Sequence, residues 1–124
     1  MILVDTSIWI DHLRSGDSAF ADALRDGRVL THPFVIGEIA CGMLNNREEL
    51  LALLHELPSA PVATNAEVLG FIARHRLMGC GIGYLDAHLL AATALADRGR
   101  LWTRDKRLAA VAGELKLAFS VSAN

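Results

Sequence analysis

Met1-Ile2-Leu3-Val4-Asp5-Thr6-Ser7 is the stretch on which the reading of this chain turns. Ile2, Leu3 and Val4 form an apolar run that stops at Asp5 and gives way to two hydroxyl residues. A short apolar run closed by turn chemistry reads as a buried strand. Asp5 then stands where that strand leaves its sheet. In open parallel α/β sheets, ligands bind outside the carboxyl ends of the strands. Asp5 is therefore expected to be the first member of an acidic metal site. The competing reading is that it only caps the helix that follows.

Working outward, Thr6 or Ser7 is expected to cap a helix reaching about Arg14, broken by Ser15-Gly16. Asp17 opens a second helix that stops at Gly27. Val29 and Leu30 read as a short second strand. Pro33 suits the first turn of a helix over 33–45, with Phe34, Val35, Ile36, Ile39, Met43 and Leu44 on its apolar side. An amphipathic helix over 47–57 ends before Pro58. Residues 61–64 read as a third strand. Asn65 is expected to cap a helix to about Leu77, with Val68, Leu69, Ile72 and Leu77 as core. The loop Gly79-Cys80-Gly81-Ile82-Gly83 precedes a strong helix over 84–97. Then come a strand at 100–103, a helix at 106–116 and a last strand at 118–121. Strands alternating with helices predict an α/β domain with a mainly parallel sheet.

The 124 residues are 52% apolar, enough for one continuous core, so a single domain over 1–124 is expected. No run of 18 or more apolar residues suggests a membrane span. The start lacks a basic segment followed by an apolar stretch, so no signal peptide is expected and the location expected is the cytoplasm. Cys41 and Cys80 form no metal-binding pattern and read as two small buried thiols. Net charge is −2, with residues 1–62 acidic and residues 63–124 basic. A mildly acidic total does not point to bulk nucleic-acid affinity, but it leaves room for a basic strip beside an acidic site.

Four acids keep unusual company. On a helix, the neighbours of a side chain lie three and four residues away. For Glu38 these are Phe34, Val35, Cys41 and Gly42; for Asp86 they are Ile82, Gly83, Leu89 and Leu90. A carboxylate among apolar groups must be protonated, paired or bound to a metal. Asp105 follows its strand as Asp5 follows its own, and parallel strand ends share one edge. Asp5, Glu38, Asp86 and Asp105 can thus converge. Such a cluster needs a counter-charge. With all-oxygen donors and no Cys or His in place, the expected ion is Mg²⁺ or Mn²⁺. That set suits metal-assisted phosphodiester hydrolysis.

Asp5-Thr6-Ser7 after an apolar strand, Glu38 within Gly37-Glu38-Ile39-Ala40-Cys41-Gly42, Asp86 at the head of DAHLLAATA, and Thr103-Arg104-Asp105 together resemble the PIN-domain family. The short single-domain form further resembles the VapC toxins of toxin–antitoxin pairs. The resemblance spans Asp5 to the last strand. It implies a five-stranded parallel sheet flanked by helices, and an endoribonuclease that hydrolyses RNA through a metal-activated water. It implies Asp5, Glu38, Asp86 and Asp105 as the acidic quartet, with Mg²⁺ or Mn²⁺ as cofactor. Asp5, Glu38 and Asp86 are the preferred direct ligands. Thr6 and Thr103 match the hydroxyl positions that accompany the acids and orient carboxylates or waters. It also implies a homodimer and inhibition by a cognate antitoxin protein. Leu108 stands where an aromatic is common.

Several neighbours carry two readings. Arg104, Lys106 and Arg107 could hold RNA phosphates or form a solvated helix start. The glycines at 79–83 fit no phosphate-loop pattern and read as a turn. His88 lies about 200° around the helix from Asp86 and is not expected to share its ion. Trp102 is expected in the core, and Trp9 at a dimer or antitoxin interface. A phosphotransfer domain using an aspartyl phosphate fits Asp5 but not Ser7 two positions on. The non-enzyme alternative is an inert α/β interaction module whose acids pair with arginines of a partner.

Overall fold

In the computed structural model, which describes residues 1–121, the apolar run at the start is the central strand. β1 (Ile2–Val4) lies between β2 (Val29–Leu30) and β3 (Arg100–Trp102), and both pairs are parallel. All three residues of β1 are buried, as expected for a strand covered on both faces. Among the described residues seven helices flank the sheet: α1 (Thr6–Ser15), α2 (Ser18–Arg25), α3 (Pro33–Ala40), α4 (Arg47–Glu56), α5 (Asn65–His75), α6 (Tyr84–Leu95) and α7 (Lys106–Glu114). The α/β class is as the sequence predicts. Among the described residues no helix is long and apolar enough to cross a membrane.

Among the described residues the sheet has three strands, where the resemblance implies five. The strand expected at 61–64 does not form, and a single bridge pairs Thr31 with Ser59 just before it; the last strand is reduced to a single bridge between Leu101 and Ala118. Pro58 and Pro61 flank the first bridge and have no N–H to donate, which stops the ladder from growing. On the other edge, the Leu101 N–H donates to Leu117 O (2.7 Å) and the Phe119 N–H to Leu101 O (2.9 Å). β3 ends one residue later, so little backbone is left to pair.

Local chemistry moves several boundaries. Asp5, rather than Thr6 or Ser7, caps α1. Thr64, rather than Asn65, caps α5 through a reciprocal box with Glu67. α3 ends at Ala40 instead of continuing to 45, which leaves Met43 fully exposed. Leu69 faces solvent, while Val68 and Leu77 are buried as expected. Both cysteines are exposed, contrary to expectation: Cys41 sits just past the end of α3, and Cys80 lies in a turn between Gly79 and Gly81, both at positive φ. Trp102 is buried as expected, but so is Trp9, which is 1% exposed and packs edge-on against Phe20 at 4.6 Å. Trp9 therefore offers no surface to a partner. Leu108 is fully buried, a core residue in place of an aromatic.

Candidate active site

The strand ladder sets the geometry. Ile2, Leu3 and Val4 pair with Arg100, Leu101 and Trp102, and the Asp5 N–H closes the ladder on Trp102 O at 2.9 Å. Asp5 and Thr103 therefore leave the sheet side by side. The Thr103 hydroxyl donates to Asp5 Oδ2 at 2.6 Å and accepts the Asp105 N–H at 3.0 Å. The Ser7 hydroxyl donates to the same Oδ2 at 3.0 Å and accepts the Arg104 N–H at 3.0 Å. Asp5 Oδ1 meanwhile accepts the Thr6 N–H at 2.7 Å. The carboxylate is thus both helix cap and anchored site group. The two readings of Asp5 are compatible because each uses a different oxygen.

Asp105 follows the same pattern. It caps α7, its Oδ1 accepting the Leu108 N–H at 3.0 Å. Asp86 sits in the first turn of α6, where its Oδ2 accepts the Gly83 N–H at 3.3 Å. Glu38 rises from α3. All four acids line one open cleft of about 540 Å³, together with Thr6, Ser7, Tyr84 and Leu85. The cleft draws on the start of α1, on α3, on the start of α6 and on the β3–α7 turn.

Neither Glu38 nor Asp86 is fully buried, contrary to what their apolar neighbours suggested; both open onto the cleft. Their electrostatics still mark the place. Partial burial, then the charges of Asp5 and Asp86, push the Glu38 carboxyl above its usual range. The Thr6 hydroxyl opposes that rise, although its oxygen meets hydrogen-bond geometry with no partner and is buried. Burial is also the main cause raising Asp86, with Asp5 and Asp105 adding to it and the Gly83 N–H opposing it. These carboxylates repel one another.

That donor set matches a hard divalent ion, since every group on the acidic wall offers oxygen. Among the described residues, however, no group of three or more His, Cys, Asp or Glu is placed to hold an ion directly. An ion that keeps several waters, as Mg²⁺ usually does, fits the open cleft better.

The basic residues divide. Arg104 is not a free cation: its Nε meets Asp11 and its Nη2 meets Asp17, each at 2.9 Å. It ties the turn carrying Thr103 and Asp105 back to α1 and α2. Lys106 and Arg107 are exposed and form no ion pair among the described residues. The Arg107 side chain lies over Gly81, where any Cβ would come within 2.7 Å of Arg107 Cδ. The glycine loop is thus a turn crossed by an arginine. His88 is buried against Phe34 and Tyr84, away from any shared ligand role.

Ser7 and Tyr84 carry little signal in the sequence: Ser7 reads as a helix cap, yet it braces Asp5, and Tyr84 is marked only as an aromatic two residues before an acid.

A parallel sheet whose strand ends carry Asp5 and Asp105, with Glu38 and Asp86 brought beside them by α3 and α6, defines an α/β domain with an acidic cleft. The chain belongs to the PIN domain family, whose pattern matches residues 2–114. It is 48% identical over 120 residues, 97% of each chain, to the proteins named Ribonuclease VapC32 from two strains of Mycobacterium tuberculosis.

Proposed function

We propose that this protein is a metal-dependent endoribonuclease and the toxin of a VapBC-type pair, acting in the cytoplasm as a single domain over 1–124. The observation that carries the reading is the convergence of Asp5, Glu38, Asp86 and Asp105 on one cleft, with the Glu38 and Asp86 carboxyls raised by partial burial and then by neighbouring acids. The 48% identity to proteins named as ribonucleases supports the choice of RNA as substrate.

In this reading Mg²⁺ or Mn²⁺ supplies two things when bound: it makes a water more acidic and offsets charge on the phosphate. The chain's own residues prepare the place. Thr103 and Ser7 fix Asp5 in one orientation, and the Asp105 N–H fixes Thr103 in turn. Glu38, Asp86 and Asp105 complete an acidic wall that can take up a proton or hold a water by its hydrogens. The Thr6 hydroxyl, otherwise unpartnered, is free to orient Glu38. Lys106 and Arg107 stand at the start of α7 beside Asp105 and would meet the backbone of the RNA.

Leu13, Met43 and Leu53 are exposed around a second cleft of about 850 Å³ beside α1 and α4. Contiguous exposed apolar groups support a protein partner, here the cognate antitoxin or a second copy in a homodimer.

The test is cleavage of single-stranded RNA in Mg²⁺ or Mn²⁺. Wild type should cut and lose activity on chelation. The double variant Asp5→Asn/Asp86→Asn should fold and lose cleavage by at least a hundredfold. Sequencing RNA 5′ ends after induced expression should show new ends only with the wild type. Undiminished cutting by the double variant would sink the assignment. An inert interaction module would show no turnover with either ion.

A further inference from the structure

Aromatic side chains in this protein are almost entirely internal. Trp9, Phe20 and Trp102 are buried, and Phe34, Phe71 and Phe119 are partly covered. Among the described residues Tyr84 is the exposed exception, at 41%, and it lines the acidic cleft two residues from Asp86. Leu85 beside it is 45% exposed and lines the same cleft. An exposed ring and an exposed leucine on the wall of a charged cleft gain nothing from water and suit an apolar part of the substrate.

The Tyr84 ring is held in place. Its hydroxyl hydrogen-bonds to Asn65 at the start of α5. One helical turn on, His88 meets its ring nearly at right angles (88°), with centroids 4.7 Å apart. His88 packs in turn on Phe34 at 4.7 Å, and Phe34 on His32 at 5.1 Å. A train of rings therefore runs from the cleft into the core and braces Tyr84 from behind. A ring fixed in advance loses little freedom when something stacks on it.

We propose that Tyr84, flanked by Leu85, is a nucleobase platform: an unpaired base next to the cleaved phosphodiester stacks on its ring while the acids face the phosphate. The proposal rests on the ribonuclease reading and adds a substrate requirement to it. The nucleotide at this position must be unstacked from its neighbours, as in a loop or a single strand, because a base inside a duplex cannot present its face. Stacking accepts any base and favours large ones, so the platform selects RNA shape more than sequence.

The test pairs protein variants with an abasic walk. A 5′-labelled single-stranded oligoribonucleotide is bound in EDTA, and KM and kcat are measured in Mg²⁺. Tyr84→Leu and Tyr84→Ala should weaken binding about five- to a hundredfold, the range for loss of one base–aromatic stack. KM should rise with kcat little changed. Tyr84→Phe, which keeps the ring, should stay close to wild type. In wild type one abasic position should cost as much as the Ala variant, and that position should cost Tyr84→Ala nothing further.

Equal affinity in wild type, Tyr84→Leu and Tyr84→Ala would overturn the platform, as would losses that simply add at every abasic position. A change in sedimentation mass with unchanged RNA affinity would assign the ring to a protein interface instead. Should both aliphatic variants unfold, the walk on wild type decides alone, since insensitivity at every position overturns the proposal. The two readings fail separately. Undiminished cleavage by Asp86→Asn removes the acid mechanism and leaves the platform, whereas a silent Tyr84 beside an inactive Asp86→Asn does the reverse. Absence of RNA binding by wild type, with or without Mg²⁺, removes both.

Discussion

Asp5 shows how one carboxylate serves two ends. Its Oδ1 satisfies the first free N–H of α1, while Oδ2 gathers two hydroxyls that themselves receive the Arg104 and Asp105 N–H groups. Each hydroxyl has one hydrogen to give, and both give it to the same oxygen. The link from Thr103 is the shorter, at 2.6 Å against 3.0 Å. It also spans 98 residues of sequence, so it positions two ends of the chain at once. Thr103→Val keeps the shape and removes the hydroxyl. Groups that orient a metal-binding carboxylate typically matter ten- to a hundredfold. The Mg²⁺ concentration giving half-maximal cleavage by Thr103→Val should therefore rise by about that factor, with a smaller change at saturating metal. Thr103→Ser should restore it. A metal titration that superimposes on wild type would remove Thr103 from the site.

At the scale of elements, the helix carrying Glu38 is set by a histidine. His32 caps α3, its Nδ1 accepting the Phe34 N–H at 3.1 Å, which requires that nitrogen to be unprotonated. Burial, then the neighbouring His88, lowers the His32 pKa to about 4 from 6.5. Because the folded value lies below the unfolded one, the stability this group confers is complete above about pH 6.5 and is lost as the pH falls toward 4. The difference amounts to about 3 kcal/mol at most. Urea unfolding of His32→Asn, which keeps a cap that does not titrate, should show a flatter pH dependence than wild type across that interval. Parallel curves would refute the assignment. The elements also show what the sequence could and could not say. Apolar runs placed β1, β2 and β3, and periodicity placed the helices to within a few residues. The outer strands failed for different reasons: Pro58 and Pro61 break the pairing beside 61–64, and 118–121 meets β3 only at Leu101, one residue before that strand ends. The cap of α5 moved from Asn65 to Thr64 because Glu67 completes a reciprocal box only with Thr64.

For the whole molecule, the four acids were legible because each stands at a strand end or among apolar neighbours. Their orientation was not, since Ser7 and Tyr84 act through side-chain directions that spacing alone does not fix. Nor was the capture of Arg104, which depends on Asp11 and Asp17 meeting it from other elements. The acids come from segments far apart in the chain, so an ion in the cleft is bound by the folded state and scarcely by the unfolded one. Binding must then stabilise the entire domain, by about 2.7 kcal/mol when the free ion is a hundredfold above its dissociation constant. For a domain of this size that is a rise in Tm on the order of 10 °C. The metal-free protein carries the opposite burden. The raised Glu38 carboxyl means that its ionised form is disfavoured on folding, so stability lost at neutral pH returns as the pH falls through the raised value. Glu38→Gln removes that charge at constant shape. In EDTA at pH 7 it should melt above wild type. With saturating Mg²⁺ or Mn²⁺ the order should reverse, because the variant has lost a donor and gains less from the ion. Thermal melts of both proteins across a metal series provide the check. A wild-type Tm indifferent to millimolar Mg²⁺ and Mn²⁺ would mean that the acids of this cleft do not bind the ion.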